Sequence, residues 1–160
     1  MTLCFKNFSF VDLQCIISNW TWQEIKFGYD EKLITTMEIS NYALHLLTEN
    51  MLGFDDVLRL ALVDDPYEDI TNILSTLSSY EKPEDQKYIF DKWRYVILQY
   101  VYDQKQNIDS LQEVVDCLYC DFNYPEEMEP FVSYMPCSNP QSSINESFEE
   151  YLRKNKQKFE

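Results

Sequence analysis

The stretch EDQKYIFDKWRYVILQYVYDQK, residues 84–105, predicts the longest helix of the chain. Its apolar side chains recur at intervals of three and four residues, which is the spacing of an amphipathic helix. These side chains are Tyr88, Ile89, Trp93, Val96, Ile97, Tyr100 and Val101. Because they cover a wide arc of the helix instead of one narrow stripe, we expect this helix to be central.

Capping signals predict further helices on both sides of this stretch. In a capping box, a serine or threonine and a glutamate three residues later bond the backbone N–H groups of the first turn. That spacing occurs at Thr21 and Glu24, Thr35 and Glu38, Ser110 and Glu113, and Ser143 and Glu146, with Ser9 as a further candidate cap. Gly28 and Gly53 are predicted to end helices, and Pro66 to occupy a first helical position.

Glycine is scarce, with two residues in 160, whereas sheet proteins usually need glycine in hairpins and bulges. The predicted fold class is therefore all-α. We expect residues 1–160 to form a single compact domain of about seven to nine helices. These helices would pack as antiparallel pairs, in a bundle or a short solenoid-like stack. The polar connector at 79–85 is a candidate subdomain boundary.

The chain is strongly acidic, with 28 Asp and Glu against 13 Lys and Arg and a formal charge of −15. Such a surface repels nucleic acids and anionic membranes, because both are polyanions. It attracts basic proteins and speeds their encounter. We therefore expect a protein partner, and neither nucleic acid nor membrane.

Cysteine usage and hydropathy bear on the compartment. There are five cysteines, no apolar segment behind a basic one as in a signal peptide, and no apolar run that approaches the length of a membrane span. These features predict a cytoplasmic protein with reduced thiols. Cys117 and Cys120 have C-x-x-C spacing, but no second pair completes a zinc site, and His45 is the only histidine.

The chain also lacks the usual catalytic motifs. It has no glycine-rich phosphate loop and no recognisable nucleophile elbow. We therefore expect no catalytic residues, no cofactor and no bound metal, and predict that the protein is not an enzyme.

A short helix is predicted after Gly53, with Asp55 near its positive end. It would turn inward the residues Val57, Leu58, Ala61 and Leu62.

Acidic residues cluster around this helix and in a second stretch, CLYCDFNYPEEMEPFVSYMP, residues 117–136. There, Pro125 can open a helix and Pro130 limits it, while Phe122, Tyr124, Phe131 and Tyr134 can clamp the turn to the core. The stretch is predicted to be a rigid corner with an acidic rim.

This corner, with DKWRYVILQYVYD upstream, resembles a family of small bacterial proteins that is known as a domain of unknown function. The family's run reads approximately Tyr-Ala-Asp-Phe-Asp-Tyr-Pro-Glu, followed by Phe-Val and Tyr-Met-Pro. The chain matches it at Tyr119, Asp121, Phe122, Tyr124, Pro125, Glu126, Phe131, Val132, Tyr134, Met135 and Pro136. It departs at Cys120 and Asn123, so the C-x-x-C pair is not the family's chemistry. Members look like toxin-immunity proteins of polymorphic-toxin or contact-dependent growth inhibition loci, and the resemblance implies no catalytic residues.

Charge and resemblance together favour an immunity protein that neutralises a cognate, basic toxin domain, such as a nuclease. Carboxylates would pair with Lys or Arg, and tyrosines would fill pockets of the toxin. The predicted contacts are Asp55, Asp56, Asp64, Asp65, Tyr67, Glu68, Asp69, Tyr124, Glu126, Glu127 and Glu129. One alternative is a metal-dependent enzyme or regulator built on Asp121, Glu126 and Glu127, with Cys117 and Cys120 as further ligands. Another is a general helical adaptor.

Overall fold

The computed structural model describes residues 3–49, 51–135 and 143–159. Its regular structure in these residues is entirely helical, which confirms the predicted all-α class. The α-helices are α1 (Phe10–Ile16), α2 (Trp22–Asp30), α3 (Thr36–Leu46), α4 (Phe54–Ala61), α5 (Thr71–Ser79), α6 (Gln86–Asp103), α7 (Leu111–Asp121) and α8 (Ile144–Phe159). Two 3₁₀-helices occupy Lys105–Asn107 and Glu126–Phe131.

The chain divides into two compact units, with the division at Phe90 and Asp91. The first unit is Ser9–Phe90, in which α3 packs on α4, α2 packs on α5, and α4 also contacts α5. The second contains the segment before Ser9 and the chain from Asp91 onward, and there α8 packs on the 3₁₀-helix Glu126–Phe131. The division falls beyond the polar connector at 79–85. The single-domain organisation and the antiparallel pairing stay predictions.

Helix α6 is nearly as long as predicted, at 18 residues. The eight consecutive residues from Asp91 to Leu98 are all buried, so this part of the helix is covered on every side. Trp93 and Tyr95 are the largest of its fully buried side chains. The wide apolar arc in the sequence therefore corresponds to an enclosed helical segment, and the central position of the helix stays a prediction.

The helix starts predicted from capping residues are confirmed. Ser9, Thr21 and Thr35 each form a complete capping box with the acid three residues later, and Ser110 caps α7. Ser143 and Glu146 exchange the same two hydrogen bonds at the start of α8. A capping box depends on residues within one turn, so tertiary packing does not alter the signal.

Four other local predictions are wrong. Gly28 lies inside α2, which continues to Asp30, and Gly53 has a φ of 74° as the N-cap of α4 rather than the end of α3. Pro66 lies in the connector before α5, because that helix starts only at Thr71. Leu62, expected to be inward, is 71% exposed, since α4 buries Val57 and Leu60 instead.

The core of the first unit contains a cluster of aromatic rings. Phe10 makes edge contacts with Trp20 and Tyr42, at centroid distances of 5.3 and 5.4 Å, and Trp22 contacts Tyr42 at 5.9 Å. The Tyr42 hydroxyl donates to the Trp20 carbonyl, and the Trp20 indole donates to Ile17. The buried polar tips of Trp20 and Tyr42 thus each have a partner, as burial requires.

We expect the Tyr42 hydroxyl to make this unit sensitive to alkali. Burial, with smaller contributions from Glu24 and Glu81, raises the pKa of Tyr42 to about 12. An unfolded tyrosine ionises near pH 10, so below that pH the stabilisation is complete, and it is lost as pH rises toward the folded pKa. Urea unfolding at pH of about 9 and about 11 should show an alkaline loss smaller by about 1 to 2 kcal/mol in Tyr42→Phe than in the wild type. Equal losses in the two proteins would contradict this assignment.

Helix lengths and hydropathy also bear on membranes. Of the helices in the described residues, none combines the length and the apolar character that crossing a bilayer requires.

Candidate functional site

The predicted contacts in the first unit lie at the two ends of α4. Asp55 is exposed in its first turn, and Asp64–Asp69, all exposed, belong to the connector from α4 to α5. Helix α4 has eight residues and is therefore about 12 Å long. We call the exposed residues Asp55, Leu62 and 64–69 the α4 surface. The sequence-predicted residues Asp55 and 64–69 thus flank one short helix.

The backbone of the connector is fixed to α3. The Ser40 hydroxyl donates to the Val63 carbonyl at 3.1 Å, and the Thr36 hydroxyl donates to the Glu68 carbonyl at 3.2 Å. Ser40 and Thr36 are themselves buried; the Ser40 bond is buried and the Thr36 bond is partly buried. The connector is thus held near both ends by neighbouring turns of one helix.

Two of the connector's own carboxylates also shape it. Asp65 accepts a hydrogen bond from the Tyr67 backbone N–H at 2.9 Å, and Asp69 accepts one from the Thr71 N–H at 3.0 Å. The hydroxyl and N–H of Thr71 lower the pKa of the Asp69 carboxyl. Asp65 and Asp69 therefore have local structural roles, and Asp64 and Glu68 are the exposed acids of this loop that remain for electrostatic pairing.

Tyr67 is the most exposed large hydrophobic side chain of the described residues, at 92%. Leu62, 71% exposed, lies at the start of the same connector. An exposed tyrosine and leucine among carboxylates are typical of a protein-binding surface, because aromatic anchors supply much of the binding energy while acids provide electrostatic complementarity.

Asp56 contributes less exposed negative charge to the α4 surface than its neighbour Asp55. Its carboxylate lies 3.3 Å from Arg59 and is partly shielded. Asp55 stands in the first turn of α4, where the helix dipole favours a negative charge.

The predicted contacts in the second unit surround a sharp turn after α7. Asn123 and Tyr124 both adopt left-handed backbone conformations, with φ of 61° and 57°. The Tyr124 N–H donates to the Tyr119 carbonyl, and Pro125 then begins the 3₁₀-helix Glu126–Phe131. Met128 and Phe131 are buried. This arrangement is a packed corner, although its helix is of the 3₁₀ type and contains Pro130 instead of ending before it.

Helix α7 holds the far side of the corner. Asp116 accepts hydrogen bonds from the backbone N–H and the hydroxyl of Ser133, and Gln112 donates to the Phe131 carbonyl at 3.0 Å. The corner is therefore attached to α7 by polar contacts as well as by its buried side chains.

Tyrosines cover one side of this corner. Tyr119 is in edge contact with Tyr124 at 5.3 Å and lies 6.1 Å from Tyr134. The Cys120 sulfur lies 3.5 Å from the Tyr134 hydroxyl, and hydrogen bonding to Cys120 raises the pKa of both Tyr124 and Tyr134. These hydroxyls therefore stay protonated at neutral pH.

Glu127, predicted to face a partner, is half exposed and also pairs with the buried Arg94 in an ion-pair network. Its carboxylate lies 3.1 Å from Arg94 of α6, which is also 3.0 Å from Asp91 and donates to the Tyr151 hydroxyl at 3.2 Å. Burial disfavours the guanidinium charge, but Tyr151, Asp91 and Glu127 outweigh it and raise the pKa of Arg94. Glu126 and Tyr124 are exposed, and Glu129 is half-buried near Tyr119.

Cys117 is paired with a cysteine distant in sequence and not with Cys120, its neighbour in the C-x-x-C spacing. Cys4 forms a disulfide with Cys117 across 113 residues, whereas Cys15 and Cys120 are free and exposed. The structure therefore joins this pair, whereas the sequence predicts reduced thiols. Cys137 lies outside the described residues.

The alternative hypothesis of a metal-dependent enzyme or regulator needs Asp121, Glu126 and Glu127 in one site, and the structure does not group these three carboxylates as metal ligands. Asp121 lies beside Cys4 and Cys117 and accepts a hydrogen bond from the Cys4 N–H at 2.7 Å. Over the described part of the chain, Glu126 and Glu127 belong to no group of three potential metal ligands.

Residues 12–156 match a family that is described as an uncharacterized protein conserved in bacteria, DUF2247. The chain belongs to this family. The match covers both units, and thus extends the sequence-based resemblance to a bacterial domain of unknown function over most of the chain. Comparison with the curated proteins and with the solved structures gave no match.

Sequence reasoning missed several notable residues of this DUF2247 member. The sequence pattern predicts Leu62 to be inward, but α4 ends at Ala61 and Leu62 is exposed as its C-cap. Arg94 and Asp91 stood in a pattern dominated by apolar residues, and their separation of three was the only available signal. Cys4 had no local signal, since its partner is 113 residues away.

Proposed function

We propose that this protein is a non-catalytic immunity protein that binds a basic bacterial toxin domain in the cytoplasm and neutralises it through the α4 surface. The observation that carries the proposal is Tyr67, 92% exposed on a connector whose backbone is fixed to α3. Because the loop is held before the partner arrives, binding costs less conformational entropy. Tyr67 and Leu62 would enter apolar pockets, while Asp64 and Glu68 pair with Lys or Arg.

Charge supports a basic partner. The chain carries a formal charge of −15, and the exposed connector from 64 to 69 contains four carboxylates and no basic residue. A toxin domain that acts on nucleic acid needs a positive surface to bind its own polyanionic substrate. An acidic protein bound to that surface would exclude the substrate, and inhibition would require no catalytic group.

The test uses a catalytically inactivated toxin domain encoded beside this gene. We expect Tyr67→Ala to raise the Kd by about 30-fold, which corresponds to about 2 kcal/mol for a central aromatic anchor. Tyr124→Ala, at the corner, is the matched control, and we expect its Kd to stay within about threefold of the wild type. Isothermal titration calorimetry measures both.

Further measurements separate the electrostatic part from the choice of surface. The wild-type Kd should rise with salt, and this dependence should weaken in Asp64→Asn/Glu68→Gln, which spares the loop-shaping Asp65. A loss of affinity in Tyr124→Ala alone would move the site to the corner. No binding of the neighbouring toxin would overturn the immunity function, whereas salt-independent binding would remove only its electrostatic basis.

A further inference from the structure

Cys4, Cys117 and Asp121 form a compact set of potential metal ligands in the second unit. One donor atom from each lies within 4.8 Å of the other two. The two cysteines approach from elements distant in sequence, the segment before Ser9 and α7, with Cα atoms 6.4 Å apart. Asp121 lies one turn beyond Cys117 on α7. The convergence is thus produced by the fold and not by a local motif.

The approach of Cys4 is supported by contacts besides the sulfur pair. Asp121 accepts from the Cys4 N–H, the Tyr100 hydroxyl donates to the Asn7 carbonyl at 2.9 Å, and Phe8 makes an edge contact with Tyr100 at 5.9 Å. These contacts would hold Cys4 near α7 even without a bond between the sulfurs.

We propose that Cys4, Cys117 and Asp121 bind a Zn²⁺ ion when the disulfide is reduced. Two thiolates and one carboxylate suit zinc, a borderline-soft ion that accepts sulfur and oxygen ligands. Three protein ligands leave one tetrahedral position for water. The sequence predicts no bound metal, because no second pair completes the C-x-x-C spacing of Cys117 and Cys120. The proposed site pairs Cys117 with Cys4 and does not use Cys120.

The surroundings favour a cation. Cys4 and Cys117 line a cavity of about 410 Å³, whose wall also includes Asp109, Glu113 and the polar residues Asn107 and Ser110. Two thiolates beside these carboxylates would repel one another, and a dication relieves that repulsion. The cavity leaves room for a water at the fourth position.

The disulfide and the zinc site exclude each other, because both use the same two sulfurs. Two molecules of a low-molecular-weight thiol reduce the disulfide to two Cys thiols and are themselves oxidised to one disulfide. Zn²⁺ then displaces one proton from each thiol and binds the two thiolates. In a reducing compartment the pair is therefore a metal site, and in an oxidising one it is a covalent link.

The test measures metal binding by the full chain without any partner protein, so its outcome is separate from that of the proposed function. Anaerobically reduced protein is titrated with Zn²⁺ against a chromogenic chelator. We expect one tightly bound ion per reduced chain and none after oxidation with diamide. Cys4→Ser and Cys117→Ser should abolish tight binding, and Asp121→Asn should weaken it by at least about tenfold.

Cys15→Ser and Cys120→Ser are the matched controls, because both residues are free and exposed. Both variants should bind Zn²⁺ like the wild type. Co²⁺ should give a thiolate-to-cobalt absorption band in the wild type and in these controls, but not in Cys4→Ser. Since Cys4 is exposed, its variant keeps the test valid if Cys117→Ser fails to fold. Absence of stoichiometric binding, unchanged binding in Cys4→Ser, or equal loss in Cys120→Ser would overturn the proposal.

Discussion

Arg94→Ala is expected to lower the free energy of unfolding by about 3 to 5 kcal/mol. The Arg94 side chain is 4% exposed and that of its partner Asp91 is 7% exposed, so both charges have lost their water. Removing the guanidinium leaves the Asp91 carboxylate buried without its arginine, and it also removes one partner each of Glu127 and the Tyr151 hydroxyl. Lys158 reaches Asp91 at 3.4 Å but is itself 45% exposed and replaces the lost contact only in part.

Arg59 provides a matched control for this experiment. It pairs with an aspartate three residues earlier, as Arg94 does, but its side chain is 66% exposed. Arg59→Ala should cost at most about 1 kcal/mol, because exposed ion pairs contribute little. Urea unfolding followed by circular dichroism measures both variants. Similar losses in the two variants would show that burial does not determine the importance of the Arg94 network.

Reduction of the Cys4–Cys117 disulfide is expected to lower the free energy of unfolding by about 2 to 4 kcal/mol. The bond closes a loop of more than a hundred residues and therefore restricts the unfolded chain strongly. The measurement compares urea unfolding of the oxidised and reduced proteins, with a chelator present so that no metal replaces the bond. The reduced protein should also show a larger denaturant dependence, since its unfolded chain is more expanded.

Cys120→Ser serves as the control for this second prediction. Cys120 is on the same helix, one turn from Cys117, but is not in the disulfide. The oxidised variant should unfold like the oxidised wild type and should lose the same stability on reduction. If reduction leaves the wild-type stability unchanged, the covalent link does not stabilise the fold.

The sequence predicted features that depend on neighbouring residues. The capping boxes at Thr21 and Thr35, and the enclosed helix α6, each follow from spacing within one element. Helix ends were harder, because Gly28 was taken as the end of α2, whereas the left-handed position after it belongs to Lys32, with a φ of 60°. A residue other than glycine in that conformation leaves no signal in the sequence.

The candidate site was predictable only in part, for the same reason. The exposure of Tyr67 and of the acids around it agrees with their place in a polar connector. Glu126 and Glu127 stand side by side in the same acidic run, and the sequence predicts the same exposed position for both. The Glu127 carboxylate nevertheless contacts a buried arginine 33 residues away. Long-range pairs such as this one and Cys4–Cys117 depend on the packing of distant segments, which local spacing does not encode.

The attachment of the α4–α5 connector to α3 has a consequence for how this protein changes over generations. The hydroxyls of Ser40 and Thr36 bind carbonyl oxygens, which every residue type possesses, so they hold the loop whatever side chains it displays. Tyr67, Asp64 and Glu68 project into solvent, and replacing them removes little buried contact. Substitutions at these positions would thus leave the scaffold intact, and under the proposed function they would change which toxin the α4 surface binds.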